Sequence, residues 1–296
     1  MSFLTGPLIL FYTPFFSQWP PVLRRNCLTR CRFSRDRTDL ARADVVVFHL
    51  PNIVPADLPT RRPGQLWAAW SKENEAHYPE HSDPAFRRHF DITMNYRRQS
   101  TIWTPYFYSW TPEELTAPPA TKIQSAPAAY LQSSDLDRSN RISYVAELMG
   151  HMRIDSYGKV LNNRKLDGED RGRKSKLALI SRYKFTLAFE NAVDDDYVTE
   201  KFFDPLVAGS VPVYFGAPNI ADFAPGRNCF IDVRELPSPQ ALAERLNRLA
   251  NDEEAYGEYP VWKRQPLLPR FLDMVDKAGG DPMVRLCEYV RRHLPR

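Results

Sequence analysis

Cysteine is scarce in this chain of 296 residues: Cys27, Cys31, Cys229 and Cys287 are too few for a disulfide framework at this size, so reduced thiols are expected. Cys27 and Cys31 stand four apart, a spacing that zinc sites use. No second ligand pair lies near them, and Arg25 and Arg30 disfavour a divalent cation there. Long apolar runs are missing as well. The longest near the start, residues 7–16, is too short to cross a bilayer and follows no basic region, so neither a signal peptide nor an anchor is expected, and the cytosol is the expected location. Charge is not one-sided: 40 basic against 36 acidic side chains leave +4, too balanced to imply a nucleic-acid partner, and no aromatic-basic RNA motif occurs. No Walker loop and no G-x-G-x-x-G is present, which removes the phosphate turn of a dinucleotide-dependent oxidoreductase. His77-Tyr78-Pro79-Glu80-His81 satisfies H-x-x-E-H formally, but Pro79 interrupts the helix face that a zinc site would need.

What is present is material for two cores. The chain is 43% apolar and 12% aromatic, long for one domain and comfortable for two. Residues 8–12, 45–48 and 67–70 read as short, nearly all-apolar parallel strands. Residues 128–131 and 153–157 bracket a helical pattern at Ile142, Val145, Leu148 and Met149. Between these halves, residues 111–127 hold Pro112, Pro118, Pro119 and Pro127 and read as a linker. The expected domains are therefore 1–118 and 119–296. Leu242, Leu246 and Leu249 predict one closing helix. Another is predicted over residues 284–296, with Val284, Cys287, Val290 and Leu294 on one side and Arg285, Arg291, Arg292 and Arg296 around the rest. That last helix is expected to pack across the interdomain cleft, or to touch an anionic membrane surface weakly.

The densest information lies in residues 182–219, RYKFTLAFENAVDDDYVTEKFFDPLVAGSVPVYFGAPN. Residues 185–189 form an apolar strand ending on Glu190-Asn191, which sets polar groups at a strand's carboxyl end, where ligands of α/β sheets collect. After a polar loop, residues 199–208 carry a helical stripe of Phe202, Phe203, Leu206 and Val207, ended by Gly209 and followed by a second strand at 211–215. The helix start offers unpaired N–H groups and a positive dipole end to an anion, and Lys201 adds a full charge suited to a diphosphate. Glu200 suits ribose hydroxyls, with Tyr197 beside it. An amphipathic helix capped by Thr199 is the plainer account. Pro205 predicts a distorted turn. The run Asp194-Asp195-Asp196 sits in mid-loop and reads as a solvated turn rather than a metal-ligand set.

Through Lys184-Phe185, Phe189-Glu190-Asn191, Tyr197-Val198-Thr199-Glu200-Lys201, Asp204-Pro205-Leu206, Val211-Pro212-Val213-Tyr214 and Gly216-Ala217-Pro218 the chain resembles the α1,3/α1,4-fucosyltransferase family. Weaker blocks follow the same order: Gln65 to Glu73, Met94-Asn95-Tyr96-Arg97-Arg98-Gln99-Ser100, then Arg141 to Leu148 and Asp155-Ser156-Tyr157-Gly158. The resemblance implies two Rossmann-like α/β domains facing a cleft (GT-B architecture), GDP-β-L-fucose as donor, inversion at the anomeric carbon, and a glycan acceptor carrying N-acetylglucosamine, free or lipid-linked. It implies no required cofactor, and a divalent ion at most stimulatory. Glu73 matches the family's general base, although Glu75 is chemically equal to it. Arg141, Glu190, Asn191, Tyr197, Thr199, Glu200 and Lys201 are the implied donor-binding residues, and Trp70, Tyr96 and Arg98 the acceptor-side candidates. Asn74 and Gln99 depart from the pattern. Another nucleotide sugar, or an inactive glycan- or partner-binding relative, are the competing readings.

Overall fold

Runs of four or five apolar residues bounded by turn formers build two parallel sheets in the computed structural model, which describes residues 6–20, 30–107 and 110–294. In the first unit these are β1 (Leu8–Phe11), β2 (Arg32–Ser34), β3 (Val45–His49), β4 (Leu66–Trp70), a single helical turn α1 (Pro84–Arg87), β5 (Ile92–Asn95) and β6 (Ile102–Trp103), in sheet order β2-β1-β3-β4-β5-β6. Every residue of β1 and β3 is buried, as expected for strands covered on both faces. Alternation sends Ile9, Phe11, Val45 and Val47 to one face and Leu8, Leu10, Val46 and Phe48 to the other.

The second unit spans Tyr106–Lys277. It contains α2 (Pro112–Thr116), β7 (Ala128–Gln132), α3 (Arg141–His151), β8 (Ile154–Gly158), α4 (Arg173–Ile180), β9 (Phe185–Phe189), α5 (Glu200–Ala208), β10 (Val211–Phe215), β11 (Ile231–Asp232), α6 (Pro239–Asn251), α7 (Glu253–Gly257) and all but the last residue of α8 (Pro269–Ala278). Its sheet runs β11-β10-β9-β7-β8, all parallel. Val145 and Leu148 of α3 and Leu242, Leu246 and Leu249 of α6 cover one face. Leu179 and Ile180 of α4 join Tyr157 and Tyr183 in a second cluster.

Three sequence-based expectations change here. Residues 111–127 are not a free linker. Thr111 and Glu114 cap α2 reciprocally, Leu115 is buried and its carbonyl accepts from Lys263 at 2.6 Å, and the Lys122 ammonium donates to the carbonyls of Ser181 and Gly209. Proline content marks turns as well as spacers, and these contacts put residues from Tyr106 onward in the second unit. The helix read at 284–296 forms as α9 (Pro282–His293) but belongs to the first unit, together with all residues from Ala278. Met283, Leu286, Cys287 and Val290 pack against Ile9, Phe11, Val45 and Ile92. The apolar stripe thus faces a core rather than a bilayer, while Arg291 and Arg292 stay exposed.

The third change concerns the thiols. Cys31 and Cys287 form a disulfide, because α9 returns to the sheet beside β2; a separation of 256 residues hides the pairing from any spacing rule. Reduced thiols no longer support a cytosolic location. Cys229 is a buried free thiol, and Cys27 lies outside the described residues. Cys287→Ser is expected to cost about 2–5 kcal/mol. The check is thermal unfolding with and without dithiothreitol: reductant should lower the midpoint of the native chain and leave the variant's unmoved.

Candidate functional site

In the second unit the sequence-predicted donor residues gather at the carboxyl end of β9 and the start of α5. Glu190 is fully buried; its two carboxylate oxygens accept from the Thr199 N–H and the Thr199 hydroxyl, both at 2.8 Å. Thr199 caps α5 through the Lys201 N–H. The Lys201 ammonium lies 3.1 Å from the Thr199 hydroxyl, 3.2 Å from Glu200 and 3.4 Å from Glu190. Burial works to raise the Glu200 carboxyl, but Lys201 and then Lys176 outweigh it and hold it down to about 2. Burial would lower the Lys201 ammonium, yet Glu190 and Glu200 hold it above the usual range, so it stays charged. Burial pushes the Glu190 carboxyl up against the pull of Lys201.

Arg141 opens α3 with only 3% exposure. Asp137 caps that helix by accepting the N–H groups of Arg141 and Ile142. The guanidinium donates to the carbonyls of Phe189 at 2.8 Å and Leu136 at 3.1 Å, and its Nε has no hydrogen-bond partner. A buried unused donor beside a cation is the arrangement that an oxyanion completes.

Glu190 and Thr199 are thus buried and bonded to each other, next to the Lys201 ammonium. Tyr197 is buried, with its ring edge-on to Tyr106. Asn191 is buried with Oδ1 unpartnered. Asp196, in a left-handed turn, exchanges hydrogen bonds with Asn219 and so locks the acidic loop. Glu200 borders a cavity of about 360 Å³ that also reaches Leu131, Tyr157, Gly158, Arg173 and Lys176. Gly158 has a φ of +94°, and a Cβ there would stand 2.3 Å from the Gln132 carbonyl oxygen, so the strand end admits no side chain. Sequence reasoning missed Arg173 and Lys176, which pair with the buried Asp204 at 2.9 and 2.5 Å. The signal available was the basic run Arg171, Arg173, Lys174, Lys176 leading into the apolar residues 177–180.

In the first unit Glu73 follows β4, its N–H donating to the Ser71 hydroxyl at 3.1 Å. Asn74 makes an Asx turn onto Ala76 and donates to the Tyr96 hydroxyl at 3.1 Å, which gives this unusual residue a structural use. Glu73 borders a cavity of about 210 Å³ with Tyr78, His81, Tyr96, Arg97 and Ser100. Burial, then the charges of Glu73 and Glu80, push the Tyr78 phenol up. Glu75 lines the same cavity and pairs with Arg87 and, at 3.7 Å, Arg97. Of the acceptor-side candidates, Tyr96 lines this cavity, while Arg98 and Trp70 do not. Trp70 instead lies 4.6 Å from the Phe15 ring at a tilt of 42°, and Phe15 packs on the buried His49. The residues of the H-x-x-E-H pattern occupy two separate 3-10 turns, not one helix face.

Family models described as Glycosyltransferase family 10 (fucosyltransferase) C-term and Fucosyltransferase, N-terminal match residues 121–296 and 5–107. The chain is 35% identical over 265 residues to a Drosophila melanogaster alpha-(1,3)-fucosyltransferase B, covering 81% of this chain and 59% of that protein. It is 47% identical over 143 residues to a Mus musculus GDP-fucose protein O-fucosyltransferase 3, covering 47% of this chain and 30% of that protein. It thus spans between about a third and three fifths of the length of these relatives. A crystal structure of an alpha1,3-fucosyltransferase with GDP-fucose shares the two-sheet α/β fold, GT-B, at a TM-score of 0.63 and 14% identity, over 98% of this chain and 92% of that one.

Proposed function

We propose, from the premise that this chain belongs to glycosyltransferase family 10, the fucosyltransferases, that it moves L-fucose from GDP-β-L-fucose to a hydroxyl of an N-acetylglucosamine-containing glycan, in α1,3 linkage and with inversion. The observation that carries this reading is the Glu200–Lys201 pair at the head of α5, a carboxylate that lines a cavity and an ammonium 3.2 Å from it and 3.4 Å from the buried Glu190. Glu200 takes the ribose hydroxyls, and Lys201 with Arg141 takes the diphosphate. As the acceptor oxygen bonds to the anomeric carbon, the bond from that carbon to the phosphate oxygen breaks, GDP leaves with the electron pair, and the hydroxyl proton passes to Glu73. Lys201 and Arg141 supply the positive charge that the leaving diphosphate needs, leaving a divalent ion a stimulatory role at most. The Cys31–Cys287 disulfide favours an oxidising compartment over the cytosol.

The identity to the protein O-fucosyltransferase supports a second reading, in which the acceptor is a hydroxyl of a protein. Incubation with labelled GDP-fucose and both acceptor types decides between them. Label in the oligosaccharide supports the glycan reading. Label in the protein alone replaces it, and turnover only with UDP-sugars ends both.

A further inference from the structure

We propose that Asp170 reads the base of the donor nucleotide and selects guanine; this rests on the donor reading above. The cavity at Glu200 carries three carboxylates, Asp170, Glu200 and Asp204. Asp204 is buried and paired with Arg173 and Lys176, and Glu200 is paired with Lys201. Asp170 is exposed and held by a turn instead of a cation: its Oδ1 accepts the Gly172 N–H at 2.8 Å, with Gly172 at a φ of +62° immediately ahead of α4. The same cavity has apolar walls from Leu131, Tyr157 and Leu166, and at Gly158 no side chain intrudes.

The Tyr157 ring is fixed from behind. Tyr183 donates its hydroxyl proton to Asp155 at 2.8 Å, so its oxygen accepts from Tyr157 at 2.7 Å, and Asp155 is in turn held by Arg164 at 3.0 Å. An aromatic ring and a carboxylate lining one cavity suit a planar base whose edge presents adjacent N–H donors. Guanine has two, N1–H and the 2-amino group, one for each carboxylate oxygen. Uracil flanks its single N–H with carbonyls that a carboxylate repels, and adenine has no N1–H.

Calorimetric titration of the native chain and Asp170→Asn with GDP, IDP and XDP tests this. The native chain should bind GDP more tightly than IDP, which lacks the 2-amino group. Asp170→Asn should lose GDP affinity by about five- to a hundredfold and gain affinity for XDP, because an amide offers one acceptor and one donor to N1–H and the 2-oxo group. That gain also shows that the variant is folded. GDP affinity and a GDP-to-IDP ratio unchanged by Asp170→Asn would overturn the inference and leave the donor reading standing, whereas a native chain that binds no GDP would overturn both.

Discussion

Glu73→Gln is expected to lower fucose transfer on the order of a hundredfold or more while GDP affinity stays close to native. The amide keeps the shape of the side chain and the Ser71 contact, which is made by the Glu73 backbone N–H, but it cannot accept a proton from the attacking hydroxyl. Glu75→Gln should behave differently. Glu75 bridges Arg87 and Arg97, so its loss loosens that pocket wall and should appear in thermal melts and acceptor KM before it appears in kcat. Single-turnover rates for both variants, with GDP titrations alongside, provide the comparison. Near-native turnover in Glu73→Gln, or its collapse only in Glu75→Gln, assigns the proton to another group.

Lys201→Ala should weaken GDP itself, not only the sugar nucleotide, by about 2–5 kcal/mol, or roughly thirtyfold to several thousandfold. On the proposed reading the ammonium meets the diphosphate, and it also compensates Glu190, which is fully buried and 3.4 Å away. Its removal therefore also leaves an unpaired carboxylate in the interior, and a drop in thermal stability should accompany the lost affinity. Glu200→Ala should weaken GDP through the ribose, since that side chain lines the cavity. If calorimetry finds both variants binding GDP normally, the nucleotide lies elsewhere.

The two variants probe residues that differ in how they could be read from sequence. The strand, loop and helix over residues 185–208 were legible because apolar runs, a Thr cap, Gly209 and the charged pair Glu200-Lys201 are local signals. Which of those polar residues face a ligand was not legible. Glu190 and Thr199 satisfy each other underground, and only three-dimensional pairing reveals that a carboxylate at a strand end has become a support for the lysine two residues beyond the cap. Arg173, Lys176 and Asp204 were hidden for the same reason: the pairs join residues 28 to 31 positions apart on two helices, and neither half is distinctive alone. The short strands β2, β6 and β11, of two or three residues, fall below the length at which a periodic pattern exists.

Helix α9 and its disulfide also bear on how the protein is made. The sheet of the first unit is encoded before Pro105, but the residues that cover one of its faces follow the entire second unit in sequence. During synthesis the second unit can complete its core while the first still presents Ile9, Phe11, Val45, Val47 and Ile92 uncovered. That connectivity runs against the common order in which the earlier domain settles first. A chain arrested after Lys277 would lack the helix that covers this face of the first sheet, and the closure of Cys31 onto Cys287 would mark the moment at which that cover is fixed in place.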